Sequence, residues 1–276
     1  MQLPRFDPAP HIRLIACDMD GTLLDAEHAI HDEFWPLLDQ LKARDILFCP
    51  ASGRQYFNLL ECFGPRSEEL AFIAENGCLV MQGGRELSAD CIAPGELAGL
   101  NAQARALQAA GVELGAVLCG KRSAYIEARD AQFASIVARF YQRLEIVESL
   151  GDVQDEVLKF ALHHAISSEA ALQPHFARFR PALQVVVSGQ NWLDIMPPAA
   201  NKGRGLRNLQ QALGIARSQT MVFGDFLNDL EMMDEADYAF AMANAHPQLK
   251  ARARYHAPAN TENGVVRCIR AVLGLS

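Results

Sequence analysis

The feature that most constrains this chain is a strand–helix rhythm that begins near the N-terminus, breaks off around Arg85 and resumes after Pro197-Pro198. IRLIAC (12–17) is a nearly continuous apolar run, the pattern of a short strand buried on both faces. A helix from about Asp32 to Arg44 follows, then a strand in ILFCPAS, a helix in GRQYFNLLECFG and a short strand in LAFIAENG. After the two prolines, NKGRGLRNLQQALG reads as helix, TMVFGD as strand, LNDLEMMDEA as helix and YAFAMANA as strand, with a helical tail. Alternation of this kind demands right-handed βαβ crossovers and a parallel sheet.

The stretch between reads differently. Pro94 to Gly111 is a helix ended by glycine, and VELGAVLCG and SAYIEA form a strand pair joined around Gly120-Lys121. A helix covers about Asp130 to Gln142. VLKFALHHAI is a strand, SEAALQPHFARFR a helix, and LQVVVSG and WLDIMP two more strands. Paired neighbouring strands predict an antiparallel sheet covered by helices. The expected fold is therefore α/β: a doubly wound parallel-sheet core of residues 1–84 and 196–276, with an α+β domain of 85–195 inserted in it.

A chain of 276 residues has room for such a core without disulfide or metal staples. Its formal net charge of −8 is shared by insert and remainder, so no nucleic-acid partner is expected, since that needs a basic footprint. Lys250-Ala-Arg252-Ala-Arg254 reads as a solvated helix face. No apolar run approaches the roughly 18 residues that would cross a bilayer, and MQLPRFDPAP does not read as a signal peptide. The seven cysteines include no C-x-x-C, and several lie in apolar runs, as small buried thiols of a reducing compartment do. A cytoplasmic protein without membrane partner, monomeric or homodimeric, is the expectation.

Chemistry concentrates at two strand ends. Asp18-Met19-Asp20-Gly21-Thr22 follows IRLIAC, and ligand sites of open α/β sheets lie at the carboxyl ends of strands. Two carboxylates so close need a cation, a shared proton or a basic neighbour. The glycine is fourth from Asp18, not sixth, so this is no EF-hand loop. Gly224-Asp225-Phe226-Leu227-Asn228-Asp229 follows TMVF, and its oxygen ligands suit Mg²⁺ better than zinc or copper. An alternative reading of Asp225 or Asn228 is helix capping. Ser52, before Gly53-Arg54, offers a hydroxyl and backbone amides at a helix start, which hold phosphate or simply cap the helix. Lys202, in Asn201-Lys202-Gly203, matters only if the fold sets it beside the acidic cluster.

Together, Asp18-x-Asp20-Gly21-Thr22, Ser52, Lys202 and Gly224-Asp225-x-x-Asn228-Asp229 resemble, in order, the four motifs of the haloacid dehalogenase superfamily. The insert between Ser52 and Lys202 resembles the C2 cap of its Cof-type branch, subfamily IIB. Ser52-Gly53-Arg54, Glu75-Asn76-Gly77, Lys202-Gly203, Ala241-Met242-Ala243-Asn244-Ala245 and Asn263-Gly264-Val265 are smaller matches. The resemblance implies a Rossmann-like core with a cap that chooses the substrate, and a Mg²⁺-dependent phosphatase of a small phosphorylated metabolite, such as a sugar phosphate, working through an aspartyl-phosphate. Asp18 is then the nucleophile and Asp20 the general acid/base. Ser52 and Lys202 hold the phosphoryl group. Gly53, Arg54, Asn76 and Asn244 line the substrate site. Asp18, the Asp20 carbonyl and Asp225 ligate Mg²⁺, with Asn228 and Asp229 ordering the metal site and Lys202.

The resemblance also brings departures. Ser52 stands where threonine is frequent in relatives, with the same hydroxyl, and Pro-Ala-Ala-Asn precedes Lys202 where relatives often have a small-residue turn ending in serine. The dehalogenases themselves lack the second aspartate, so Asp20 speaks against dehalogenation. A phosphomutase of the same branch uses the same aspartates, and a regulator that only binds a phosphometabolite is a third reading. No P-loop, G-x-G-x-x-G after a strand, G-x-S-x-G or H-E-x-x-H is present. His163 and His164, neighbours on a strand, point opposite ways, so at most one faces the cleft and neither is expected to do chemistry; Asn191 and Trp192 precede the last cap strand, where they could meet substrate, though a packed tryptophan is the better reading.

Overall fold

The computed structural model describes residues 3–4, 6–127 and 131–275. The expected start of the fourth helix at Asp130, and Met1, Gln2 and Arg5 of the opening segment, lie outside the described residues. The chain divides into two compact units, one of Met1–Gly53, Phe63–Ser88 and Asn201–Ser276, the other of Arg54–Cys62 and Ala89–Ala200.

Among the described residues the first unit is built on an eight-stranded sheet. Its strands are β1 (Leu14–Asp18), β2 (Leu47–Ala51), β3 (Ala71–Ala74), β4 (Leu79–Gln82) and β5 (Arg85–Ala89). The insert supplies β6 (Gly115–Gly120), β7 (Ala124–Glu127), β8 (Leu144–Val147), β9 (Val157–His163), β10 (Gln184–Val187) and β11 (Trp192–Met196) to the other unit. β12 (Thr220–Gly224), β13 (Tyr238–Met242) and β14 (Tyr255–Ala257) complete the first. The order is β14-β13-β12-β1-β2-β3-β4-β5, parallel from β14 through β3 and antiparallel at β3–β4.

β1 is buried throughout, as its apolar run requires. The chain winds from β1 outward through β2 and β3, and returns on its other side through β12 and β13. The winding therefore reverses between β1 and β12, the place where open α/β sheets bind ligands. Helices cover both faces. Consecutive residues of β3 point to opposite sides: Phe72 meets Phe63, which meets Phe34 of the helix Phe34–Lys42, while Ile73 packs beneath Gly205 of the helix Lys202–Leu213.

The second unit holds a six-stranded sheet in the order β10-β11-β9-β6-β7-β8. It is antiparallel except for β7–β8, which pair in parallel because the helix Ala131–Val137 returns the chain between them. Phe160 and Leu162 of β9 enter a core with Leu100, Ala104 and Leu107 of the helix Pro94–Ala109, and Ala161 enters a second core with Val137.

Some elements depart from the expectation. β5 extends the large sheet, and a hairpin with Gly83 and Gly84 at positive φ joins it to β4. β8 is mostly exposed and β14 is three residues long, so neither carries an apolar signature. SEAALQPHFARFR is not one helix but Ser168–Ala171, Gln173–Phe176 and a turn of 3₁₀, since Pro174 cannot supply the amide that a continuous helix needs. Five of the cysteines are buried, while Cys62 and Cys91 are half-buried. Among the described residues, no helix is long and apolar enough to cross a membrane.

Candidate active site

The carboxyl ends of β1 and β12 set Asp18 and Asp225 side by side. One oxygen each from Asp18, Asp225 and Asp229 lies within 4.8 Å of the others. Asp18 ends β1 and is 6% exposed. Lys202 enters from the first turn of its helix, fully buried, and donates to Asp18 Oδ1 at 2.5 Å and to Asp229 Oδ1 at 2.7 Å. Asn201 places it, its side chain capping the helix at the amide of Arg204 at 2.7 Å.

Asp229 is committed on both oxygens. Besides Lys202, it accepts from the backbone amides of Asp225 at 3.0 Å and Phe226 at 3.2 Å. Asp225 Oδ1 accepts from the Thr22 hydroxyl at 3.3 Å, a tie from the first motif to the last. Gly21 makes this approach possible: it has φ +77°, and a Cβ there would lie 2.3 Å from Asp225 Oδ2.

Electrostatics follow from one ammonium facing three carboxyls out of water. Burial pushes the Asp18 carboxyl up to about 8, with Lys202 opposing and the charge of Asp229 adding. Burial and Asp229 push Asp225 up to about 6. For Lys202, burial works against the charged form, but Asp18 and Asp229 outweigh it and hold the ammonium above its ordinary value. The pocket is short of positive charge. An all-oxygen donor set with that deficit fits a hard divalent cation such as Mg²⁺.

Asp20 is partly exposed at 44%, and its Oδ1 lies 3.2 Å from Nδ1 of His28. Ser52 is buried directly after β2, its amide donating to Ile73 O at 2.8 Å and its carbonyl accepting from the Asn76 amide at 2.9 Å. Asn76 has φ +55° and accepts on Oδ1 from Asn228 Nδ2 at 3.2 Å, so these two expected site residues hold each other. Gly53 lies against the Asn76 side chain. Asn244 donates to Gly21 O at 2.7 Å and accepts from the Asn260 amide at 3.2 Å, bracing the Asp20–Gly21 turn. Arg54 belongs to the second unit, where it donates to Cys62 Sγ at 3.8 Å.

The structure thus brings Asp18, Thr22, Lys202, Asp225 and Asp229 into one cluster. Thr22 and Gly21 stand in the motif, but their specific parts are not legible there, because the partner of both is a residue 203 positions from Thr22. In the second unit, His163 packs on Trp192 and Phe133, and His164 Nδ1 accepts from the Ser167 amide at 3.1 Å, both structural contacts.

Comparison with known proteins gives a consistent result. A family model described as haloacid dehalogenase-like hydrolase matches residues 15–269. The 5-amino-6-(5-phospho-D-ribitylamino)uracil phosphatase YbjI of Escherichia coli (strain K12) is 36% identical over 272 residues, 95% of this chain and 96% of its own. An HMP-PP phosphatase of Escherichia coli O157:H7 is 30% identical over 257 residues, 87% of each chain. Among solved structures, SMU.1108c from Streptococcus mutans UA159 matches with a TM-score of 0.81 at 29% identity, over 95% of this chain and 99% of that one. The HAD subclass IIB sugar phosphatase BT4131 shares the fold, with a TM-score of 0.76 at 21% identity over 94% and 98% of the two chains.

Proposed function

The chain belongs to the haloacid dehalogenase-like hydrolases and is a phosphatase, and from that premise we propose that it hydrolyses a small phosphomonoester through an aspartyl-phosphate on Asp18, with Mg²⁺ as cofactor. The observation that carries this reading is Lys202, which holds one oxygen of Asp18 at 2.5 Å and ties Asp229 at 2.7 Å from the same ammonium. The ammonium thereby fixes and neutralises the proposed nucleophile.

The roles follow from the charges. A phosphomonoester brings about two negative charges toward carboxylates near neutral pH. Asp18, the main-chain carbonyl of Asp20 and Asp225 would hold Mg²⁺, which when bound neutralises the phosphoryl oxygens. Asp229, whose oxygens accept from Lys202 and two backbone amides, and Asn228 are proposed to order the loop and Lys202 instead. Lys202 and the Ser52 hydroxyl stabilise charge on the transferring group. Asp18 attacks phosphorus and the ester oxygen leaves with the proton of Asp20. Asp20 then takes a proton from water, which opens the aspartyl-phosphate and releases phosphate. Gly53, Asn76 and Asn244 are proposed to frame the substrate, Asn244 by bracing Gly21. We propose 1–84 and 196–276 as the catalytic core and 85–195 as the specificity domain, although Arg54–Cys62 groups with the second unit and β5 with the first.

The test is phosphate release from p-nitrophenyl phosphate with Mg²⁺ and with EDTA, for wild type and Asp18→Asn. Turnover that needs Mg²⁺ and vanishes in the variant supports the mechanism. Turnover that survives in Asp18→Asn overturns it. The substrate named for the relative, 5-amino-6-(5-phospho-D-ribitylamino)uracil, heads the metabolite panel to follow.

A further inference from the structure

Phe226 occupies an unusual place for a large apolar side chain. It follows Asp225 in the site loop, yet its side chain is 55% exposed. Among the described residues, the other exposed large hydrophobics, Phe140, Ile146, Ile166 and Val186, all belong to the second unit. An isolated exposed phenylalanine needs no explanation by itself. This one is held in place from both sides of its backbone. Its amide donates to Asp229 Oδ2 at 3.2 Å, and its carbonyl accepts the Asp229 amide at 3.1 Å. The residue that fixes Lys202 therefore also fixes Phe226.

The ring has an aromatic neighbour as well. His246 meets it at 5.7 Å between centroids with the planes 80° apart. His246 is itself anchored, its amide donating to Asp225 O at 2.8 Å and its Nδ1 accepting from the Gln248 amide at 3.2 Å. The result is a rigid aromatic corner, one residue from Asp225, at the carboxyl ends of β12 and β13. Rigid aromatic surface of this kind binds planar π systems by stacking, with little side-chain entropy to lose.

We propose that Phe226 is a specificity-determining residue whose exposed ring, backed by His246, stacks on a planar aromatic leaving group joined to the phosphate by a short linker. The proposal rests on the phosphatase reading and adds the chemical class of the alcohol released.

Benzyl phosphate and cyclohexylmethyl phosphate test it. Both release a primary alcohol and differ in the planarity of the ring. With Mg²⁺, wild type is expected to favour the benzyl ester in kcat/KM by about fivefold, chiefly through KM. Phe226→Leu keeps apolar bulk and is expected to bring the ratio to about one, while Phe226→Tyr keeps the preference. A wild type without preference, or a Leu variant that retains it, overturns the proposal. Failure of the underlying reading looks different: no Mg²⁺-dependent release from either ester or from p-nitrophenyl phosphate, which removes both.

Discussion

Lys202 Nζ stands 2.5 Å from Asp18 Oδ1, although the two residues are 184 positions apart and an entire second unit intervenes between them in sequence. The contact joins the first strand of the core to the first helix after the insert. It also leaves the lysine wholly buried, where a charge persists only if it is paired and hydrogen-bonded.

Lys202→Met keeps the length of the stem and removes the ammonium. Asp18 and Asp229 then face each other without compensation, and breaking a buried pair of this kind costs about 3 kcal/mol or more. Turnover is expected to fall by about a thousandfold, the scale of losing a preorganised charge. Urea unfolding checks the first figure. Adding Asp18→Asn to Lys202→Met should return part of the lost stability; a double variant that is merely additive would contradict a direct coupling.

Stability without metal should fall as pH rises. The Asp18 carboxyl is held at about 8 in the folded chain, against about 3.9 when unfolded. Between those values the folded state keeps a proton that the unfolded state has released, so each step upward in pH favours unfolding. Asp225, raised to about 6, adds in the same direction over the lower part of the window. Lys202 is raised, so its contribution is lost only above the ordinary lysine range. In EDTA, Tm is expected to decline between about pH 4 and about pH 8, with the slope flattened in Asp18→Asn. Mg²⁺ takes the place of the proton and should restore Tm at the upper end. A Tm that climbs across the window would refute the assignment.

Much of this was legible in the sequence because it is local. The apolar run before Asp18 and the one before Asp225 are each readable as buried strands, and their carboxyl ends are where the aspartates lie. What was not legible depends on partners far away. That Asp229 spends both oxygens on Lys202 and on two amides cannot be read from G-D-x-x-N-D. Nor can the pairing of Asn76 with Asn228, 152 positions on. β8 was missed because an edge strand with exposed faces has no alternation to betray it.

The segment Arg54–Cys62 shows the same limit and yields a prediction. It sits between two strands of the core sheet, yet it groups with the second unit. Gln55 is the reason in part. It is buried, donates from Nε2 to Arg143 O at 2.9 Å, and accepts on Oε1 from the Arg143 amide at 3.0 Å, while the Arg143 guanidinium lies 3.8 Å over the Phe57 ring. Gln55→Ala leaves two backbone groups of Arg143 without these partners, at a cost of about 1–3 kcal/mol. Limited proteolysis should then cut near Arg143 faster than in wild type, and unchanged cleavage would count against the pairing.

Gly21 and Gly84 separate strain from collision. Both have positive φ, +77° and +74°. A Cβ on Gly84 meets nothing within 4 Å, whereas on Gly21 it falls 2.3 Å from Asp225 Oδ2 and 2.9 Å from Asp225 Cγ. Gly84→Ala therefore reports the backbone cost alone, about 1 kcal/mol. Gly21→Ala carries the same backbone cost and must also displace the carboxylate that Thr22 holds. That movement opens the spacing between Asp225 and Asp18, and errors of this size in a site cost about a hundredfold in rate. Gly21→Ala is thus expected to lose at least that much turnover and to need more Mg²⁺ for half-maximal rate. Gly84→Ala should keep wild-type values of both. Phosphate release measured across a Mg²⁺ titration decides it: equal losses in the two variants would mean that backbone strain, and not the contact with Asp225, is what glycine at 21 relieves.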